Sequence, residues 1–304
     1  MMDKIELLDH WGIKFKSPRK ELSLYGSPNR TETRFVFESA DGEIFIAEGY
    51  SLHKSSRQIK QNTFLEYLQQ NSVPGIHPFV RTKEFAHGVE LDNIFWQIRP
   101  WIEADALDRS RFETDTFFAG LWSDFLIKFH RATIIPNTPQ LPNQPFFFAD
   151  FLPKLVSFAT CKMPFLRDEI TKSIGKLDNF LEIEKTLPQS VAHGDFHPGN
   201  ILVKNNHISA VIDWEFSGLK CAGYDPALLL GCLGRDDPAL LNGENMIFLQ
   251  NQLYKSNYMP EISWEHLTEL MAAIRLGWLG EWIDLNEPIL AQQELQYINF
   301  LLDQ

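Results

Sequence analysis

His193-Gly194-Asp195-Phe196-His197-Pro198-Gly199-Asn200-Ile201-Leu202, followed by Val211-Ile212-Asp213-Trp214-Glu215, is the stretch on which the reading of this chain turns. Asp195 and Asn200 have four residues between them on what reads as a tight loop. Two β-prone runs follow, Ile201-Leu202-Val203-Lys204 and Ile208-Ser209-Ala210-Val211-Ile212, with Asn205-Asn206 between them. A hairpin over 201–212 is therefore expected, its second strand delivering Asp213 to the neighbourhood of Asp195 and Asn200. Phosphoryl transfer asks a protein for positioning and charge neutralisation more than for covalent chemistry. Asp195 is of the type that orients an attacking hydroxyl. Asn200 and Asp213 offer a neutral and an anionic oxygen, the hard donors that Mg²⁺ favours.

His193 to Asn200 and Ile212-Asp213-Trp214-Glu215 together resemble the motifs of the aminoglycoside phosphotransferase and choline kinase superfamily. The resemblance implies an α+β, two-lobe protein-kinase-like fold, with a small β-rich N-lobe and a larger, mainly helical C-lobe. It makes Asp195 the catalytic base and Asn200 and Asp213 the magnesium ligands, with ATP or GTP as co-substrate and a small molecule as acceptor. It also implies that His193 and Asp225 brace the loop. A half-buried histidine and an Asp225-Pro226 helix start account for those two residues equally well. The spacing further resembles the H-R-D-L-x-x-x-N loop of protein kinases, with Gly194 where the arginine stands, which argues against control by an activation-loop phosphate. Gly199 is expected to take backbone geometry that a β-carbon disfavours.

Outward from this stretch, the lobes are expected at 1–101, binding nucleotide, and 102–304, carrying the catalytic and acceptor residues. Arg34-Phe35-Val36-Phe37-Glu38 and Glu43-Ile44-Phe45-Ile46-Ala47-Glu48 read as strands joined at Asp41-Gly42, a hairpin signal. Ser56 to Gln70 reads as a helix with an apolar stripe of Ile59, Phe64, Leu65 and Leu68. Asn93 to Ile98 forms another strand, running into a hinge at Arg99-Pro100-Trp101. The resemblance places adenine against the backbone near Arg99 and Trp101. Between Thr114 and Ala132, Phe117, Phe118, Leu121, Trp122, Phe125, Leu126 and Phe129 fall at helical spacing, a core helix rather than a cofactor box. A connecting loop to Ala149 and a helical region to Leu187 precede the motif, and the chain beyond Asp225-Pro226 reads as helical.

The first lobe departs from the family pattern. A strand lysine for the nucleotide phosphates and a helix glutamate to hold it are expected. The strand instead puts Glu48 or Gly49 at the lysine position, and Glu66 is the natural helix acid. Lys54, Arg57 or Lys60 is in reach as a substitute cation. The covering loop, Leu24 to Thr31, is poor in glycine, with Ser27 and Asn29 as its candidate phosphate contacts. These departures keep a non-catalytic nucleotide-binding pseudokinase in view. His193-x-Asp195-x-His197 also spells a metallohydrolase ligand set, the second alternative. Near the C-terminus, Trp264, Trp278 and Trp282 with Glu281 form either an aromatic wall for a cationic acceptor or plain core.

Composition narrows the classes. The 304 residues, 44% hydrophobic, suffice for a substantial core. Cys161, Cys221 and Cys232 are odd in number and far apart, which disfavours a disulfide framework and points to a reducing, cytoplasmic compartment. The N-terminal Met1 to Glu6 carries no signal-like pattern, and no run of the ~18 apolar residues needed to span a bilayer occurs. With 40 acidic against 28 basic side chains, general nucleic-acid binding is disfavoured, and a small cationic acceptor and plain solubility account for the acidic surface equally well.

Overall fold

The computed structural model describes residues 4–22, 31–134 and 138–303. The chain forms two compact units: Met1–Asp105 with Pro136–Pro142 and Leu202–Ile212, and Ala106–Ile135 with Asn143–Ile201 and Asp213–Gln304. In the first, helix α1 (Lys4–Asp9) precedes strands β1 (Phe15–Pro18), β2 (Thr33–Ser39) and β3 (Ile44–Ser51). Helix α2 (Ser55–Gln70) then leads to β4 (Val89–Leu91) and β5 (Ile94–Pro100). The five strands form one antiparallel sheet in the order β1-β2-β3-β5-β4. The β2–β3 turn closes where expected: Gly42 takes φ +87° and Ser39 N–H donates to Glu43 O at 2.8 Å.

Alternation along the strands gives the sheet two different faces. Phe37, Ala47, Trp96 and Ile98 build an apolar core with Leu7, Leu8 and Trp11. Ile46, Glu48, Gln97 and Arg99, one step out of phase, belong to the other face. Helix α2 departs from its expected stripe. Phe64, Leu65 and Leu68 are buried, but so are Gln58, Gln61 and Asn62, while Ile59 is exposed. Asn62 explains part of this: it accepts from Phe79 N–H at 2.7 Å and donates to Phe79 O, tying the helix to the chain beyond it.

The second unit is helical. Helix α3 (Arg111–Thr114) is followed by α4 (Thr116–Thr133), α5 (Phe148–Lys162), α6 (Arg167–Gly175) and α7 (Asp178–Ile183). Asp115 caps α4, accepting from Phe117 N–H at 2.8 Å. Phe118, Trp122, Phe125 and Phe129 of α4 are buried, each contributing roughly 1.5–3 kcal/mol, which supports the core reading of that helix. Four short strands carry the motif: β6 (Gln189–Ala192), β7 (Ile201–Lys204), β8 (His207–Val211) and β9 (Gly218–Cys221). The β7–β8 hairpin turns on Asn205 and Asn206 at φ 51° and 64° and, over Leu202–Ile212, belongs to the first unit, where Val211 N–H donates to Gly75 O at 2.8 Å. The antiparallel β6–β9 pairing was not expected from sequence. Helices α8 (Tyr224–Asp236), α9 (Glu244–Lys255), α10 (Glu261–Glu265), α11 (Leu267–Asp284) and α12 (Pro288–Leu302) complete the unit. Among the described residues no helix is long and apolar enough to cross a membrane.

Candidate active site

The loop from His193 to Asn200 leaves β6 and is held from beneath by α8. Asp225, in the first turn of α8 and buried, accepts from His193 N–H at 2.7 Å and from Gly194 N–H at 2.9 Å. Burial pushes its carboxyl from the ordinary 3.8 to about 6, against the lowering pull of those two bonds and of the Lys220 charge. His193 is fully buried, and its Nδ1 accepts from Asp195 N–H at 3.1 Å. Its ring stands edge-on to Trp214 at 4.4 Å. Gly194 takes φ +86°, and a β-carbon there would meet Phe216 O and Lys220 Cε, so this glycine is required. Gly199 has an ordinary φ. What its missing side chain leaves is room for the His197 ring, whose Cε1 would lie 2.9 Å from a β-carbon.

Aromatic stacking from α4 fixes the loop's height. Phe125 stacks on Phe196 at 5.2 Å with 8° between planes, and Phe129 meets Trp214 edge-on at 5.5 Å. With its neighbours thus anchored, Asp195 is presented with a side chain 12% exposed. Asn200 Nδ2 donates to Asp195 Oδ2 and to Asp195 O, both at 2.9 Å. Asp195 Oδ1 has His197 Nε2 at 3.8 Å, too far for a hydrogen bond, and is the oxygen left to take another donor. The Asn200 amide nitrogen is committed to Asp195, which leaves its Oδ1 as the atom to offer a cation. Asp213 follows β8 in a left-handed turn, φ 69° and ψ 53°, and is half-buried.

Two supports gave no signal in the sequence. Asn143, in the stretch read as a connecting loop, donates to Glu215 O at 2.7 Å and Ser217 O at 2.8 Å, fixing the turn after Asp213. Lys220 is buried on β9 with its ammonium 5.0 Å from the ring centres of both Phe146 and Tyr224. A lone polar residue in a loop and a lone lysine in a strand have no pattern of their own, and apart from Tyr224 the partners named lie some seventy residues away.

Other expectations meet different outcomes. His193 spends Nδ1 on the loop backbone, and no group of three or more His, Cys, Asp or Glu among the described residues is arranged to hold a metal, so the metallohydrolase reading fails. Ser27 and Asn29 lie outside the described residues. Trp101 N–H donates to Ile44 O at 2.8 Å, so this main-chain donor is engaged within the sheet. Arg99 pairs in register with Ile46 and directs its guanidinium to Glu48, with Nε 3.2 Å from Oε2. Glu66 is taken by Arg81 through two bonds of 2.5 Å. The C-terminal tryptophans separate. Trp278 stands 5.8 Å from His197 and 6.4 Å from Trp282, whereas Trp264 packs on Tyr254 in a cleft that includes His130, Tyr258 and Glu261.

The fold recurs in solved structures at low sequence identity. Amicoumacin kinase hAmiN, solved with AMP-PNP, Ca²⁺ and Ami, aligns with TM-score 0.73 and 12% identity over 94% of this chain and 89% of its own. A thermostable mutant of aminoglycoside phosphotransferase APH(4)-Ia, in a ternary complex with AMP-PNP and hygromycin B, aligns with TM-score 0.64 and 15% identity over 95% of each chain. Spectinomycin phosphotransferase APH(9)-Ia, with ADP and spectinomycin, gives 0.62 and 14% over 98% of this chain and 95% of its own. No curated protein matches by sequence. The model of the phosphotransferase enzyme family matches residues 50–254, a span that contains both halves of the motif and most of the elements that hold them. The chain belongs to the phosphotransferase enzyme family and is a small-molecule phosphotransferase of protein-kinase-like fold.

Proposed function

We propose that the chain transfers the γ-phosphate of ATP or GTP to a hydroxyl of a small molecule, with Asp195 as the base. The observation that carries this reading is the clamp on Asp195: Asn200 Nδ2 occupies Oδ2 at 2.9 Å while Oδ1 remains open. A substrate hydroxyl donating to Oδ1 is held as its oxygen attacks the γ-phosphorus; the new P–O bond forms as the bond from the γ-phosphorus to the β,γ-bridging oxygen breaks, the proton passes to that carboxylate, and the nucleoside diphosphate leaves with the bridging oxygen. Asp225 and His193 hold the loop so that little reorganisation accompanies the step. Asn200 Oδ1 and the Asp213 carboxylate suit Mg²⁺, because both are hard oxygens and the amide nitrogen is already spent. Bound there, the metal supplies neutralisation of phosphate charge.

The acceptor reading favours a hydroxylated, amine-bearing molecule, the class that hygromycin B and spectinomycin represent in the structural neighbours. A choline-like aromatic cage has less support. One face of Trp278, the tryptophan beside the loop, already carries the Arg275 guanidinium at 5.2 Å, and Arg275 is itself bound to Glu294. The test is thermal stability with Mg-ATP and Mg-GTP for the wild type and Asp213→Asn, followed by nucleotide consumption against hydroxylated amines. Stabilisation of the wild type alone, with turnover on at least one acceptor, is expected. A wild type that neither nucleotide stabilises at millimolar concentration would sink the proposal, and stabilisation without turnover on any acceptor would favour the pseudokinase.

A further inference from the structure

Glu48 presents a problem of charge. It stands on β3 at one of the two positions, with Gly49, where a strand lysine is expected, is 5% exposed, and would repel a nucleotide's phosphates if it acted alone. It does not act alone. Arg99, from β5, lies on the same sheet face, because its register partner Ile46 is two residues from Glu48. Arg99 Nη2 donates to Glu48 Oε1 at 3.3 Å, and Nε sits 3.2 Å from Oε2 without the alignment of a good hydrogen bond. Tyr50 Oη donates to Glu48 Oε2 at 3.3 Å, so the carboxylate is held by both neighbours.

The guanidinium has five N–H donors, and Glu48 engages only the Nε and Nη2 side. Nη1 has no partner among the described residues, and the Arg99 side chain is 27% exposed, whereas that of Glu48 is 7% exposed. The acid is therefore the buried, anchoring member and the arginine the outward one. Two further observations concern the surroundings of the pair. Gln58 Oε1 on α2 and the Oε1 of Gln97, the register partner of Glu48, are buried with no hydrogen-bond partner among the described residues. Glu66, the acid expected to hold a strand lysine, is committed to Arg81 and is not needed for that purpose.

We infer that Arg99 is the cation that contacts the nucleotide's phosphates, through Nη1, and that Glu48 is its positioning residue. The pair exchanges the expected roles: the acid occupies the β3 position and the cation comes from the adjacent strand. Planar guanidinium with a free edge suits a phosphate oxygen pair better than it suits a hydroxyl, so the contact is with the triphosphate and not with the ribose. The inference rests on the phosphotransferase reading above.

The test is calorimetric titration of AMP-PNP and of adenosine, each with Mg²⁺, into the full chain and its Arg99→Ala, Arg99→Lys, Glu48→Gln and Glu48→Lys/Arg99→Gln variants. Arg99→Ala is expected to weaken AMP-PNP by about 10- to 100-fold, the loss of one charge-assisted contact, with adenosine affinity unchanged. Arg99→Lys is expected to recover part of the loss, and the Glu48→Lys/Arg99→Gln exchange to come within several-fold of the wild type. Equal AMP-PNP affinity in the wild type and a folded Arg99→Ala protein overturns the assignment. So does an equal loss for adenosine and AMP-PNP, which marks the pair as a structural brace. A wild type that binds no AMP-PNP overturns the phosphotransferase reading as well, so the two failures are distinguishable.

Discussion

The loop around Asp195, where the base is proposed, and the strand around Glu48, where the phosphate-binding cation is inferred, are assembled in opposite ways. In the loop, the proposed base Asp195, its clamp and its histidine brace lie within eight residues, 193–200, and Asp225 closes the arrangement by accepting two N–H groups. In the sheet, the acid and its arginine are 51 positions apart and meet because β3 and β5 pair in one register. The first arrangement is local geometry that a motif can encode. The second is a cross-strand contact, and a motif search along β3 alone finds only an acid where a lysine is awaited.

The contrast can be broken or sharpened by substitution. The largest effect is expected at Asp195: Asp195→Ala should lower kcat by about 10²- to 10⁴-fold, read in a nucleotide-consumption assay, while AMP-PNP affinity stays near that of the wild type. If affinity falls in step with kcat, the separation of chemistry in the loop from phosphate binding in the sheet is lost. Gly194→Ala comes next. Its positive φ and the approach of a β-carbon to Phe216 O predict a loss of about 2–4 kcal/mol in urea unfolding. The sheet holds no such strained position near Glu48, so Glu48→Gln should cost far less stability than nucleotide affinity.

Asp225→Asn tests the support of the loop, where two N–H groups would share a weaker acceptor, at about 1–3 kcal/mol. Its pH dependence has a definite sign. The Asp225 carboxyl is raised from 3.8 to about 6 by burial, so the folded protein takes up a proton on Asp225 between those values that the unfolded chain does not. That contribution to stability is fully present below 3.8 and is lost as pH rises through about 6. The wild type's lead over Asp225→Asn in thermal stability should therefore shrink as pH is raised across this window. A constant lead would show that Asp225 is ionised throughout. The smallest effect is expected at Glu66→Gln: its partner Arg81 is about one-third exposed, so less than about 1 kcal/mol and no more than a twofold change in AMP-PNP affinity should follow. A larger loss of affinity would return Glu66 to the phosphate site and displace Glu48.

Particular residues explain what could be read beforehand. Asp41-Gly42 and Asn205-Asn206 announce their hairpins because few residue pairs tolerate those turns, and α4 announces itself through four buried aromatic residues at helical spacing. The β6–β9 pair gave no such signal: each strand has four residues, and Gln189 meets Cys221 across a separation no local pattern records. Helix α2 misled in detail, because its buried face carries Gln58, Gln61 and Asn62 in place of a purely apolar stripe. Asn62 is buried to satisfy the Phe79 backbone, a long-range debt invisible in the helix itself.

The amino-acid sequence by itself determined the family of chemistry, since Asp195, Asn200 and Asp213 occupy a motif whose spacing is set by one loop and one hairpin. It also determined the two β-hairpins and the aromatic helix beneath the loop, because those depend on φ preferences and on periodicity within a few turns. Only the tertiary structure decided that Asp225 and His193 brace the loop through hydrogen bonds, that Gly194 is the residue with the positive φ, and that Glu48 is answered by Arg99. The physical reason is common to all three. A buried charge or donor must find a partner wherever the fold brings one, and neither its distance along the chain nor the strand register that delivers it is written next to the residue that needs it.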